Sequence, residues 1–268
     1  MRGLMKIGAG LLLVALLLIG LSYSVLRAQS ISGTSSTESR MLESETRPVS
    51  STVDAIRLDG PIDLTVRQGP SATLSVRGEQ HLLGKIETRQ EGNTIYISTH
   101  GMLLTRRPLK AVLVLPSLVN LQVRGSGDSS VNGFGGERIT LGLDGSGAVK
   151  FNGRFKQMSA MLHGSGELDL DGGTSDKVDV ELNGSGDLKL VGTGRELRAR
   201  LNGSGTVDAE QFKAEAVSLT LHGSGDASVS ASASVEARID GSGEARVFGR
   251  PAERKVSTHG SGELSFVD

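Results

Sequence analysis

The stretch Val178-Asp179-Val180-Glu181-Leu182-Asn183-Gly184-Ser185-Gly186-Asp187-Leu188-Lys189-Leu190 decides the fold. Apolar residues stand at every second position on both sides of its Gly-Ser-Gly triplet, the period of a strand whose alternate side chains enter a core. The triplet recurs with first glycines at Gly125, Gly145, Gly164, Gly184, Gly203, Gly223, Gly241 and Gly260, at intervals of 18 to 20 residues. So constant a period marks an array of like units, each too small to cover its own apolar face.

Counting from the first glycine of each triplet, the positions six, four and two before it and four and six after it should point inward. Of these forty positions thirty-seven are apolar, and the exceptions Ser129, Arg254 and Thr258 fall in the first and last units. Two strands per unit, stacked in parallel register at ~4.8 Å, would carry eight units over ~38 Å. A β-propeller blade needs about 40 residues and four strands, and nothing here alternates at double the period. The expected architecture is therefore an all-β parallel β-helix, a β-solenoid with turns of 18–20 residues.

The paired glycines fit corners that exclude a side chain: Gly125 and Gly127, Gly145 and Gly147, Gly164 and Gly166, Gly184 and Gly186, Gly203 and Gly205, Gly223 and Gly225, Gly241 and Gly243, Gly260 and Gly262. A calcium-binding glycine repeat is a poorer match, because its unit is about nine residues and carries a double glycine. The serines between the glycines, Ser126 to Ser261, would stack as a ladder, and alternation does not say whether a corner residue faces in or out. They do not form the Gly-x-Ser-x-Gly elbow of a nucleophile.

The position before each triplet is polar throughout: Arg124, Asp144, His163, Asn183, Asn202, His222, Asp240 and His259. His222, Asp240 and His259 would lie on consecutive turns and are the candidate metal ligands, although a straight column does not surround an ion. Three residues after the first glycine, Asp128, Glu167, Asp187, Asp226, Glu244 and Glu263 would form an acidic stripe. Like charges at strand spacing repel, so Lys150, Lys189 and Arg246 are expected to relieve it, or loosely held cations. No residue pattern points to a catalytic group or a cofactor.

Outside the array, Arg2 and Lys6 precede an uncharged apolar run from Ile7 to Val25 that ends at Arg27. Residues 1–28 therefore predict an apolar helix, either a signal peptide cleaved after Ser24 or an inner-membrane anchor through residues 7–25. Both place the body in the periplasm or cell envelope, and retention would leave Arg2 and Lys6 cytoplasmic. Residues 29–51, with eleven Ser or Thr, predict a flexible tether. The body then runs over 52–268, with irregular leading strands over 52–116 and the eight repeats over 117–268.

There is no cysteine, so neither disulfides nor thiolate metal sites exist. Aromatics make up only 3% of the chain, which leaves little with which to stack sugars. Without Arg2 and Lys6 the net charge changes from -1 to -3, which together with the absence of a basic run disfavours nucleic acid and anionic lipid. Units of nearly constant length leave no loop-walled cleft in the array. Any groove is expected in the leading region, near His81 to Gly101 or Met102 to Lys110.

From about Val53 onward the chain resembles the bacterial family of putative auto-transporter adhesins with the head GIN domain. The likeness rests on Ile62-Asp63-Leu64-Thr65-Val66-Arg67-Gln68-Gly69, Leu82-Leu83, Asn93-Thr94-Ile95-Tyr96-Ile97, Val112-Leu113-Val114-Leu115-Pro116 and the Gly-Ser-Gly repeats. It implies an exported right-handed β-helix without known catalytic residues; no carboxy-terminal membrane barrel is recognisable. Three functions fit this order of preference: a non-enzymatic scaffold or adhesin-like surface for an envelope protein or polysaccharide, a membrane-anchored sensory or regulatory domain, and a polysaccharide-acting β-helix enzyme.

Overall fold

A computed structural model describes residues 41–101 and 107–268. The helix expected within residues 1–28 lies outside these residues. Among those described, no helix is long and apolar enough to cross a membrane.

The strands are β1 (Leu42–Arg47), β2 (Ala55–Asp59), β3 (Ile62–Gln68), β4 (Thr73–Glu79), β5 (Ile86–Glu91), β6 (Thr94–Thr99), β7 (Leu109–Leu115) and β8 (Asn120–Gly125), with the one-turn helix α1 (Gln80–Leu83) after β4. Then come β9 (Ser129–Gly145), β10 (Ala148–Gly164), β11 (Glu167–Gly184), β12 (Asp187–Gly203), β13 (Thr206–Gly223), β14 (Asp226–Gly241), β15 (Glu244–Phe248), β16 (Glu253–Gly260) and β17 (Glu263–Val267). All seventeen strands belong to one sheet. From β9 to β14 each strand makes a nearly complete turn between two triplets and pairs in parallel with the next turn, with register shifts between the two halves of most pairs. About seven turns of a β-solenoid thus separate the first triplet from the last.

The corners explain the glycines. Gly184 has φ +136, a backbone conformation that L side chains rarely adopt, and a Cβ there would collide with the carbonyl oxygen of Gly164 one turn below. That oxygen is close because it accepts hydrogen bonds from the N–H groups of both Ser185 (3.0 Å) and Gly186 (3.1 Å). A Cβ on Gly186 would meet the Gly166 carbonyl in turn. The first glycine is thus needed for its dihedral angle and for the approach, the second for the approach alone.

The stack begins earlier than the triplets show. Asp59 pairs with Arg124 and Leu64 with Ser129, so Gly60-Pro61-Ile62 occupies the place of a triplet beneath Gly125-Ser126-Gly127. A Cβ on Gly125 would strike the carbonyl of Gly60, which itself has φ +124. In one column β6, β2 and β8 stack in parallel, and β5 closes it as the antiparallel partner of β6 through the Gly92-Asn93 turn. In the other β3 lies on β7, and β4 and then β1 pair antiparallel beyond it. Leu82 and Leu83 of α1 are buried in the same core.

Three expectations need correction. Leu42–Arg47, within the predicted tether, form β1, whose side chains are exposed or half-buried. Composition measures the capacity to bury side chains, whereas β1 is held by backbone pairing with β4 and by a hydroxyl contact, Ser44 to Ser75 at 2.9 Å. Val119, just before β8 begins at Asn120, is 43% exposed, and Leu118 is buried instead. In the last turn Val256 is exposed as well, and Arg254 stacks its guanidinium 4.2 Å from the centre of the Phe266 ring. Ser129, by contrast, is buried as its inward position requires, with its hydroxyl unpaired.

Candidate functional site

Because the core columns and corners are fixed, the outward side chains form ordered columns. At the triplets each serine is exposed, while the second glycine is buried from Gly127 to Gly243. The serine ladder therefore faces solvent, which alternation did not decide.

The polar column before the triplets contains two charge clusters separated by an amide pair. Asp144 receives Arg124 at 3.2 Å and His163 Nδ1 at 2.9 Å. Partial burial pulls the Asp144 carboxyl upward, but the hydrogen bonds and charges of His163 and Arg124 outweigh this and hold it below the usual carboxylate value. Asn202 then donates to the side-chain oxygen of Asn183 at 2.7 Å. Further along, His222 Nδ1 and His259 Nδ1 each lie 3.2 Å from Asp240, on different carboxylate oxygens. Arg238 donates to Asp240 at 2.8 Å, and this hydrogen bond is the main reason its carboxyl is held low.

His222, Asp240 and His259 are thus adjacent as a contiguous row with the carboxylate between the rings. Among the described residues no three His, Cys, Asp or Glu side chains converge as a metal site.

The acidic stripe is relieved in two ways. Arg246 pairs with Glu244 at 2.8 Å. Elsewhere carboxylates bind the backbone of the next turn: Asp63 accepts from Asp128 N–H at 3.2 Å, and Asp128 from Ala148 N–H at 3.3 Å. Lys189 stands in register between Asp169 and Asp208.

Grooves occur in both regions. As expected, the leading region has them: one of about 310 Å³ beside Arg77, Pro108 and Lys110, and one of about 160 Å³ beside Glu87, Arg89 and Tyr96. Contrary to expectation, the array also carries a shallow groove of about 450 Å³. It needs no inserted loop. Ala216, Ser218 and Ser234 are small outward residues on adjacent turns, so the longer Glu196, Arg198, Glu236 and Lys255 stand above them as walls.

A β-solenoid with polar outer columns defines a class of repeat domain whose surface is set by its stacked turns. Residues 53–251 match the family model described as putative auto-transporter adhesin, head GIN domain, and the chain belongs to that family. No curated protein matches the sequence. Among solved structures, a putative lipid binding protein from Parabacteroides distasonis is similar at 25% identity and TM-score 0.77, over 85% of this chain and 97% of its own. Putative adhesins from Parabacteroides merdae (18% identity, TM-score 0.79, 85% and 96% coverage) and Parabacteroides distasonis (20%, 0.79, 86% and 98%) share the fold.

Proposed function

We propose that this protein is an exported, non-enzymatic scaffold of the cell envelope, whose face before the Gly-Ser-Gly corners binds an envelope protein or polysaccharide. One observation carries this: small side chains on consecutive turns open a charged-walled groove along the array. Membership of an adhesin-like family supports a binding rather than a catalytic role. The relative described as a lipid binding protein points the same way. The coil is taken as right-handed, the hand of nearly all parallel crossovers. The apolar run Ile7 to Val25 supports export, and if kept it would hold the body at the inner membrane.

The test immobilises the full chain and challenges it with fractionated envelope protein and polysaccharide, beside Ser218→Trp, which fills the groove floor. Retention of one fraction by the parent and its loss in the variant is expected. Equal retention by both would remove this face from the proposal, and conversion of an acidic glycan to smaller products would overturn the non-enzymatic assignment. An anchored sensory or regulatory domain is the second reading, favoured by the length of the apolar run. A mature amino terminus near Val25 would contradict it.

A further inference from the structure

Along the array, cations face opposite charge or neutral groups in the neighbouring turn. Lys177 is in register with Glu196, Arg198 with Asp179, Arg200 with Glu181 and Lys255 with Glu236. Among the described ladders, one pair breaks this rule. Arg77 on β4 stands directly opposite Lys110 on β7, an arrangement that costs stability when nothing compensates it.

The neighbouring carboxylates are engaged elsewhere. Asp63, in register on the far side of Lys110, accepts the Asp128 N–H. Glu79, two residues from Arg77, is buried and lies 3.8 Å from His81. Neither Arg77 nor Lys110 has an ion-pair partner within 4.0 Å among the described residues. The two cations instead line the cleft of about 310 Å³, together with Arg107 and the apolar Leu42 and Pro108.

We propose that this cleft binds a phosphate group, carried on a lipid headgroup or free in solution, through Arg77 and Lys110. A guanidinium beside an ammonium suits the oxygens and the charge of a phosphate, since guanidinium can engage two oxygens at once. Bound phosphate would also remove the repulsion between Arg77 and Lys110. Leu42 and Pro108 would meet the uncharged substituent of a phosphate ester. The site is separate from the groove of the array, so its test does not depend on the envelope-binding proposal.

The experiment measures amide hydrogen exchange in β4 and β7 of the full chain in nonionic micelles. Inorganic phosphate is compared with chloride at equal ionic strength, and micelles doped with phosphatidylglycerol with micelles doped with phosphatidylcholine. Slower exchange with phosphate and with phosphatidylglycerol assigns the site to a headgroup; slower exchange with inorganic phosphate alone assigns it to the free ion. Arg77→Gln and Lys110→Gln should each weaken the effect by about tenfold, the loss of one charged hydrogen bond. In chloride both should melt no lower than the parent, because each relieves the like-charge pair. No protection by either phosphate source, or equal protection in both variants, overturns the site. If either variant fails to fold, the parent titration and the other variant still decide.

Discussion

The repeat turns and the leading end share one sheet but solve different problems. A repeat turn has a neighbour on each side, so its core residues and corner glycines need only repeat. The leading end must stop the stack, and it does so with the antiparallel partners β4 and β5, the added strand β1 and the α1 leucines. Termination therefore depends on long-range pairings that no period reveals, and there the surface departs from its regular charge pattern.

The largest expected effect breaks the regular side. Leu182 is fully buried in the middle of the array, and Leu182→Asp should cost about 4 kcal/mol or more by burying an unpaired charge. Asn183→Asp, one residue on, should cost far less. It loses the donation to Glu181 at 2.8 Å but keeps the oxygen that accepts from Asn202. Urea denaturation of both checks the assignment of faces, and equal losses would mean it is wrong.

A change at the leading end sharpens the contrast. Leu82 of α1 is 1% exposed, and Leu82→Ala should cost about 2–4 kcal/mol through lost burial and a cavity. Hydrogen exchange should show faster opening of β4 to β7 with little change in β12 and β13, because repeat stacks transmit stability mainly to nearest neighbours.

The smallest effect concerns pH. Folding lowers the Asp144 and Asp240 carboxyls below the ordinary 3.8. Their contribution is fully present above that value and is lost as pH falls through the lowered folded value, from about pH 4 downward. Asp240→Asn should flatten the stability curve in that acid range and leave its slope near neutrality unchanged. A curve parallel to the parent throughout would contradict the clamp formed by Arg238, His222 and His259.

The array was legible in the sequence because each inward position is repeated eight times, so a single polar exception such as Ser129 does not obscure the register. The leading region was legible as irregular strands, two of which the Gly92-Asn93 turn joins. Their partners were not. Arg77 and Lys110 both occupy outward positions of alternating strands, yet only the antiparallel pairing of β4 with β7 makes them neighbours. The place of Gly60 beneath Gly125 follows only from the register of β2 with β8. Likewise the groove over Ala216, Ser218 and Ser234 reflects side-chain size across turns, which an apolar–polar pattern does not register.

The central claim is that the Gly-Ser-Gly corners are structural, with the glycines required by backbone stacking and the serines free in solvent. The most direct test compares Gly184→Ala with Ser185→Ala by equilibrium denaturation. The first places a Cβ against the Gly164 carbonyl at φ +136 and should cost about 2 kcal/mol or more. The second removes an exposed hydroxyl and should stay within about 0.5 kcal/mol. Equal destabilisation, or a larger loss at Ser185, would contradict the account.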